Sequence, residues 1–233
     1  MASAALLALA LPAAAQIATT ATDFEQPGTQ PGGLNAPIFS TSSCNFCHAN
    51  YSEAEEPFER WSGGMMANAM RDPVFQAALT IANQDMGESG QLCLRCHTPG
   101  GFLAGRAATA DGSALNDIDY QGVNCHLCHR LVDPLAAPEN PSEDTAILAG
   151  LASPPTDAHG GQFVVDPDDR RRGPFDLGPG FGYHTWLESP YHRESLQCAT
   201  CHEVSNPAFT RVGGATPSAS DTYALGTLGT QHP

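Results

Sequence analysis

The residues best suited to chemistry are cysteines, and they come in a fixed pattern. Cys44 and Cys47, Cys93 and Cys96, Cys125 and Cys128, and Cys198 and Cys201 are each separated by two residues. Each second cysteine is followed at once by a histidine: His48, His97, His129 and His202. No cysteine is left over. C-x-x-C-H is the attachment sequence for c-type heme. The two thiols add to the two vinyl groups, so they must share one tight turn. The next imidazole then takes the iron from one face. Zinc sites and thioredoxin-like redox pairs also use C-x-x-C, but neither requires a histidine after the second cysteine. A disulfide framework predicts an even count without this spacing. The sequence therefore predicts four covalently bound heme c groups, one on each motif.

The opposite face of each iron needs a second donor. Five histidines remain: His126, His159, His184, His192 and His232. His184 and His192 stand just before the fourth motif and are the favoured candidates. His159, in a glycine-rich turn, is the next. His126 lies inside the third attachment loop, where its backbone is already committed, and His232 is beside the last residue. Methionine is the other usual donor, and its thioether favours ferrous iron. Met65, Met66, Met70 and Met86 cluster after the first motif, although methionine often only fills a core.

Elements that position these groups can be sketched. Gly 23 and Pro 19 indicate many turns and few long elements. Aromatic residues make up only 7%, so porphyrin faces are expected to supply much of the buried apolar surface. Asp72-Pro73 reads as a helix start, with Val74, Ala78, Leu79 and Ala82 near helical spacing. A shorter helix is expected over Phe58 to Met70, and each motif should open or interrupt a short helix. Gln162 to Val165 has a weak strand signal, and Asp133 to Pro179 reads as loop. The expected fold is mainly α with extensive loops and little sheet, packed around four covalent hemes.

Residues 1–15 resemble a secretory signal peptide, with an apolar run from Leu6 to Leu11 and an A-x-A site at Ala13 to Ala15. Residues 16–40 read as a leader loop, 41–207 as the tetraheme unit, and 208–233 as a polar tail or a truncated continuation. The apolar run is too short to span a membrane, and the rest of the sequence offers no spanning segment. Export to a periplasmic or extracellular location agrees with heme attachment, which happens outside the cytoplasmic membrane. The net charge is −15, and all ten basic residues are arginine. That balance argues against nucleic acid and is suited to a neutral or basic redox partner protein. Arg170, Arg171 and Arg172 form the single basic cluster and read as a solvated loop, with a propionate contact as the alternative.

The stretch from Cys44 through CHANYSEAEEPFERWSGGMMANAMRDPVFQAAL resembles the cytochrome c-554 family of multiheme proteins. So do CLRCHTPGGFLAGR, GVNCHLCHR, RRGPF and SPYHRESLQCATCHEVSNP. The resemblance runs from Cys44 to Pro207. It implies a mostly helical fold with hemes in close stacked and perpendicular pairs. In the family pattern a distal histidine stands five residues after a tryptophan, with a serine between. Here the tryptophan is Trp61, the serine position holds Gly64, and the fifth residue is Met66. The resemblance thus implies a His/Met heme, and it supports His192 as a distal ligand. Electron transfer is the leading function. Two other readings stand beside it: a heme enzyme acting on a small nitrogen or oxygen species at an open iron, and a subunit of a polymeric cytochrome wire or a membrane-associated complex. The export reading is checked by deleting the first fifteen residues without a replacement leader. The expected product is apo-protein, and full heme loading would reject it.

Overall fold

The structure is a computed structural model, and it describes residues 19–179, 182–204, 209–212 and 222–225. The signal-peptide region, Pro207, His232 and most of the tail lie outside the described residues. The described residues are mainly helical with little sheet. The helices are α1 (Ser42–His48), α2 (Pro57–Ser62), α3 (Met65–Asn68), α4 (Pro73–Asp85), α5 (Gly90–His97), α6 (Pro99–Leu103), α7 (Cys125–Cys128), α8 (Ser142–Ala149) and α9 (Ser195–His202). No described helix is long and apolar enough to cross a membrane.

The start of α4 follows its sequence signal. The Asp72 side chain accepts from the Val74 amide at 2.9 Å, and Pro73 occupies the first turn, where its missing N–H costs nothing. The buried face is not the one the spacing suggests. Phe75 and Leu79 are buried, whereas Val74 is 74% exposed. The aromatic ring, one residue further on, takes the core position because it can stack on His97 at 3.6 Å. The single helix expected over Phe58 to Met70 is two helices, α2 and α3, broken at Gly63-Gly64, where helix propensity is poor.

Three two-stranded sheets complete the fold. Antiparallel β1 (Leu131–Val132) and β2 (Val164–Val165) pair Leu131 with Val165. Here the weak strand signal near Gln162 is realised. Parallel β3 (Arg171–Gly173) and β4 (Trp186–Glu188) pair Arg172 with Leu187. Antiparallel β5 (Phe209–Val212) and β6 (Thr222–Leu225) pair Phe209 with Leu225.

The core grows out of the motif turns. Leu94 and Leu127 lie between the cysteines of the second and third motifs and are buried with Met70, Phe75, Leu79, Phe163 and Tyr191. Residues 26–37 form an irregular strap held by backbone groups. Gly28 N donates to Ser153 O, and the amides of Asn35 and Ala36 donate to Pro167 O. Arg95 donates to the carbonyls of Pro27 and Thr29, and Arg130 to those of Ala36 and Pro37.

The basic cluster is not a solvated loop. The Arg172 side chain is fully buried, 2.6 Å from Asp144 and 2.7 Å from Asp166. Arg170 shares Asp166 at 2.9 Å, and Arg171 pairs with Asp169 at 3.1 Å. Asp144 belongs to α8, so this network ties α8 to β3 inside a stretch that reads as loop. Burial pushes the Asp144 carboxyl up, and Arg172 pulls against it. For Asp166, burial also pushes up, but hydrogen bonds from Arg170, the Asp168 amide and Arg172 carry it below its usual value. Breaking a buried pair leaves an uncompensated charge and costs about 3–5 kcal/mol. A half-exposed pair contributes about 0–1 kcal/mol. Arg172→Gln should therefore lose several times more stability than Arg171→Gln in denaturant titrations of the heme-loaded protein. Equal losses would show that the network is not what joins α8 to β3.

Candidate functional site

All four motifs fold locally in the same way. A helical turn places residues three and four apart on one face. In α1, α5 and α9 the motif histidine is the last helical residue, and in the third motif His129 is the first residue beyond α7. Asn124 caps α7, its side chain accepting from Leu127 N at 3.0 Å. None of the eight cysteines is in a disulfide. Among the described residues no three His, Cys, Asp or Glu side chains converge on a metal-sized site, so nothing in the geometry favours zinc.

The imidazoles of two motifs are held as ligands need to be held. His129 Nδ1 lies 2.7 Å from Arg172 O, and the Arg172 amide returns a bond to His129 O. His97 Nδ1 lies 3.0 Å from Ala69 O, with the ring stacked on Phe75. An Nδ1–H donated to a carbonyl fixes the tautomer and leaves Nε2 with its lone pair for iron. A cavity of about 370 Å³ is lined by Cys44, His48, Cys125, His129, Phe175 and His184. Its walls are mostly apolar, and its donor set is that of a heme site. The residues present fit the group.

The cysteines also join the motifs to one another. Cys44 of the first motif lies near enough to Cys125 of the third for the two thiols to influence each other, as do Cys96 of the second and Cys201 of the fourth. Cys125 draws the Cys44 thiol down to about 7, while burial and, less, the charge of Cys198 push Cys128 up to about 11. These proximities give the motifs a spatial order of first, third, fourth, second.

The expected distal donors fall at different places along that order. His184 faces the cavity that holds His48. His192 lies beside His129, with ring centroids 6.3 Å apart and planes 14° apart. Its Nε2 is 3.0 Å from Cys128 O, and its Nδ1 is buried without a partner. Burial lowers its pKa to about 4, so it is neutral at physiological pH, as a ligand must be. His159 Nδ1 is also buried and makes no hydrogen bond, with Asp157 Oδ2 3.8 Å away. Its turn sits between the second and fourth motifs, since Gly160 N donates to Glu203 O and Gly161 N to Thr200 O. Gly161 has φ +76°, and a Cβ there would come within 3.0 Å of Cys96 Sγ. His126 is not free to ligate. Its Nδ1 accepts from Phe39 N, and its Nε2 is bonded to Asp169 at 2.8 Å.

Met66 sits on α3, in a turn fixed from both sides. Its carbonyl accepts from Val123 N at 3.0 Å, and Trp61 Nε1 donates to Val123 O at 2.8 Å. Gly122 packs on it so closely that a Cβ would lie 2.4 Å from Met66 O. The same turn supplies the carbonyl that holds His97. Met66 is 50% exposed, while Met70 is the methionine that fills the core.

Residues 43–130 match the model of the family described as cytochrome c554 and c-prime. Over that span the chain is similar to cytochrome c554-type proteins. The match takes in the first three motifs and stops before the fourth. No curated protein and no solved structure matches. The c-type cytochromes bind heme covalently, and that chemistry would account for the motif turns and the cavity they line.

Sequence reasoning missed two residues beside the motifs. Arg95 and Arg130 are almost wholly buried and solvated by backbone carbonyls. Burial lowers Arg95 to about 10, which leaves it a cation at neutral pH. Their positions, within the second motif and directly after the third, were visible, but their burial was not.

For Met66, exposure separates a ligand from a packing residue. Met66→Ala should cost less than about 1 kcal/mol, because a half-exposed side chain leaves no core cavity. It should also let the reduced heme-loaded protein bind carbon monoxide at one iron. A variant that binds none would remove Met66 from the ligand set.

Proposed function

We propose that this cytochrome is a tetraheme electron carrier that passes electrons between redox partner proteins outside the cytoplasmic membrane. The observation that carries the proposal is the proximity of cysteines from different motifs. Cys44 lies near Cys125 and Cys201 near Cys96, and Cys198 is close enough for its charge to act on Cys128, so the four motifs can be strung into one continuous path. The bound hemes supply the one-electron iron couple. The chain's own residues hold that couple in place. Cys44, Cys47, Cys93, Cys96, Cys125, Cys128, Cys198 and Cys201 anchor the groups. His48, His97, His129 and His202 supply the proximal nitrogens, two of them with Nδ1 already fixed by a carbonyl. His184, His192, His159 and Met66 are the proposed distal donors. Phe58, Phe175 and Leu187 give the cavity at the first motif apolar walls.

The unit carrying this function spans residues 41–207. Its ends in the path are the first and second motifs, and not the first and fourth as they occur along the chain. The charge of −15 suits a neutral or basic partner surface.

Mass spectrometry of the mature protein should find four hemes, one per motif. Two or fewer hemes together with bound zinc would sink the proposal. The path is tested by removing one heme at a time. A double change of Cys198 and Cys201 to Ala should leave the heme of the second motif slow to reduce by a donor acting at the first. The matching change at Cys93 and Cys96 should leave the other three fast. Equal slowing in both variants would refute the order.

A further inference from the structure

We propose that Arg95 raises the reduction potential of the heme on the second motif and so draws electrons toward that end of the path. This rests on the reading of the second motif as a heme site.

Arg95 stands between Cys93 and Cys96, and it is 1% exposed. Its guanidinium lies between two aromatic rings, 4.6 Å from the Phe102 centroid and 4.7 Å from that of Phe163. It donates to Gly161 O at 2.5 Å, to Pro27 O at 2.7 Å, and at 3.4 Å to Thr29 O and Gln30 Oε1. None of these partners is a carboxylate. The spacer residues of the other motifs supply no such cation: they are Asn45 and Phe46, His126 and Leu127, and Ala199 and Thr200.

The third motif makes the contrast. Arg130 is equally buried and also donates to carbonyls, those of Ala36, Pro37 and Asp166. There, however, Asp166, Asp168 and Asp169 all lie close enough to act on it. Arg172, whose carbonyl holds His129, is paired with both Asp144 and Asp166. Positive charge is thus balanced by carboxylates at the third motif and unbalanced at the second.

A guanidinium stays protonated in proteins. In a medium of low dielectric its field is weakly screened. Oxidation of the heme iron adds one positive charge, so a fixed cation nearby disfavours the ferric state and raises the potential. Burial and local charge are among the protein's ordinary means of setting that potential. The effect falls with distance. The second motif feels it most, and the fourth feels it next, since Cys201 is near enough to act on both Arg95 and Cys96. The first and third lie furthest along the path.

The test is a redox titration of the intact heme-loaded protein, with the heme of the second motif identified by its loss when Cys93 and Cys96 are replaced. Arg95→Gln should lower that heme's potential, shift the fourth less and leave the other two in place. Arg95→Lys, which keeps the charge, should restore most of the shift. Four loaded hemes with unchanged potentials in Arg95→Gln would overturn the proposal. A drop in Arg95→Lys as large as that in Arg95→Gln would also overturn it, since packing would then be the cause. If Arg95→Gln fails to load four hemes, Gln30→Glu decides. It keeps Arg95 and sets a carboxylate against it, so a lowered second potential supports the proposal and an unchanged one overturns it. Absence of heme on the second motif of the unaltered protein would instead overturn the tetraheme reading itself.

Discussion

Two thiols and an imidazole must face one side of a single helical turn, and this chain meets that demand four times. Each turn is too short to be stable alone, since isolated helices of this length do not hold in water. The motifs therefore depend on what packs behind them. Leu94 and Leu127, inside two of the turns, belong to the core itself. The surface proposed to bind the prosthetic groups and the surface that holds the fold together belong to the same few residues. A substitution in a spacer position thus acts on both at once.

Much of the site was legible because covalent chemistry fixes spacing. The four motifs, the helix start at Asp72-Pro73 and the brief strand near Val164 follow from local rules, and the structure contains them. The break at Gly63-Gly64 was visible as two poor helix formers but was outvoted by the apolar residues around it. Phe75 displaced Val74 from the core because of a partner, His97, that lies 22 positions away in the chain, and no periodicity could reveal that. The same limit hid α8. Its hydrophobic spacing is weak, and it is anchored by one carboxylate, Asp144, meeting a buried arginine from a distant strand. The order of the motifs in space was equally out of reach, because it depends on cysteines far apart in sequence coming together.

Charge is handled in two distinct ways within one small unit. Around the third motif, arginines and aspartates alternate and bind each other, which fixes the strand whose carbonyl orients His129. Around the second motif, aromatic rings and backbone carbonyls surround a lone guanidinium. The first arrangement gives positional definition with little net field. The second gives a net field held in one place. Both lie within a protein that is strongly acidic as a whole, so the overall charge says little about what each iron experiences.

The strap of residues 26–37 touches both of these regions through main-chain oxygens. The carbonyls of Pro27 and Thr29 receive Arg95, and those of Ala36 and Pro37 receive Arg130. Every residue type carries the same carbonyl. The side chains along the strap are therefore free to drift, while its length is not: the spacing between the two receiving pairs is matched to the distance between two buried cations. Adding or deleting one residue there would withdraw the solvation of one arginine or the other, a heavier lesion than most exchanges of side chain along the same stretch.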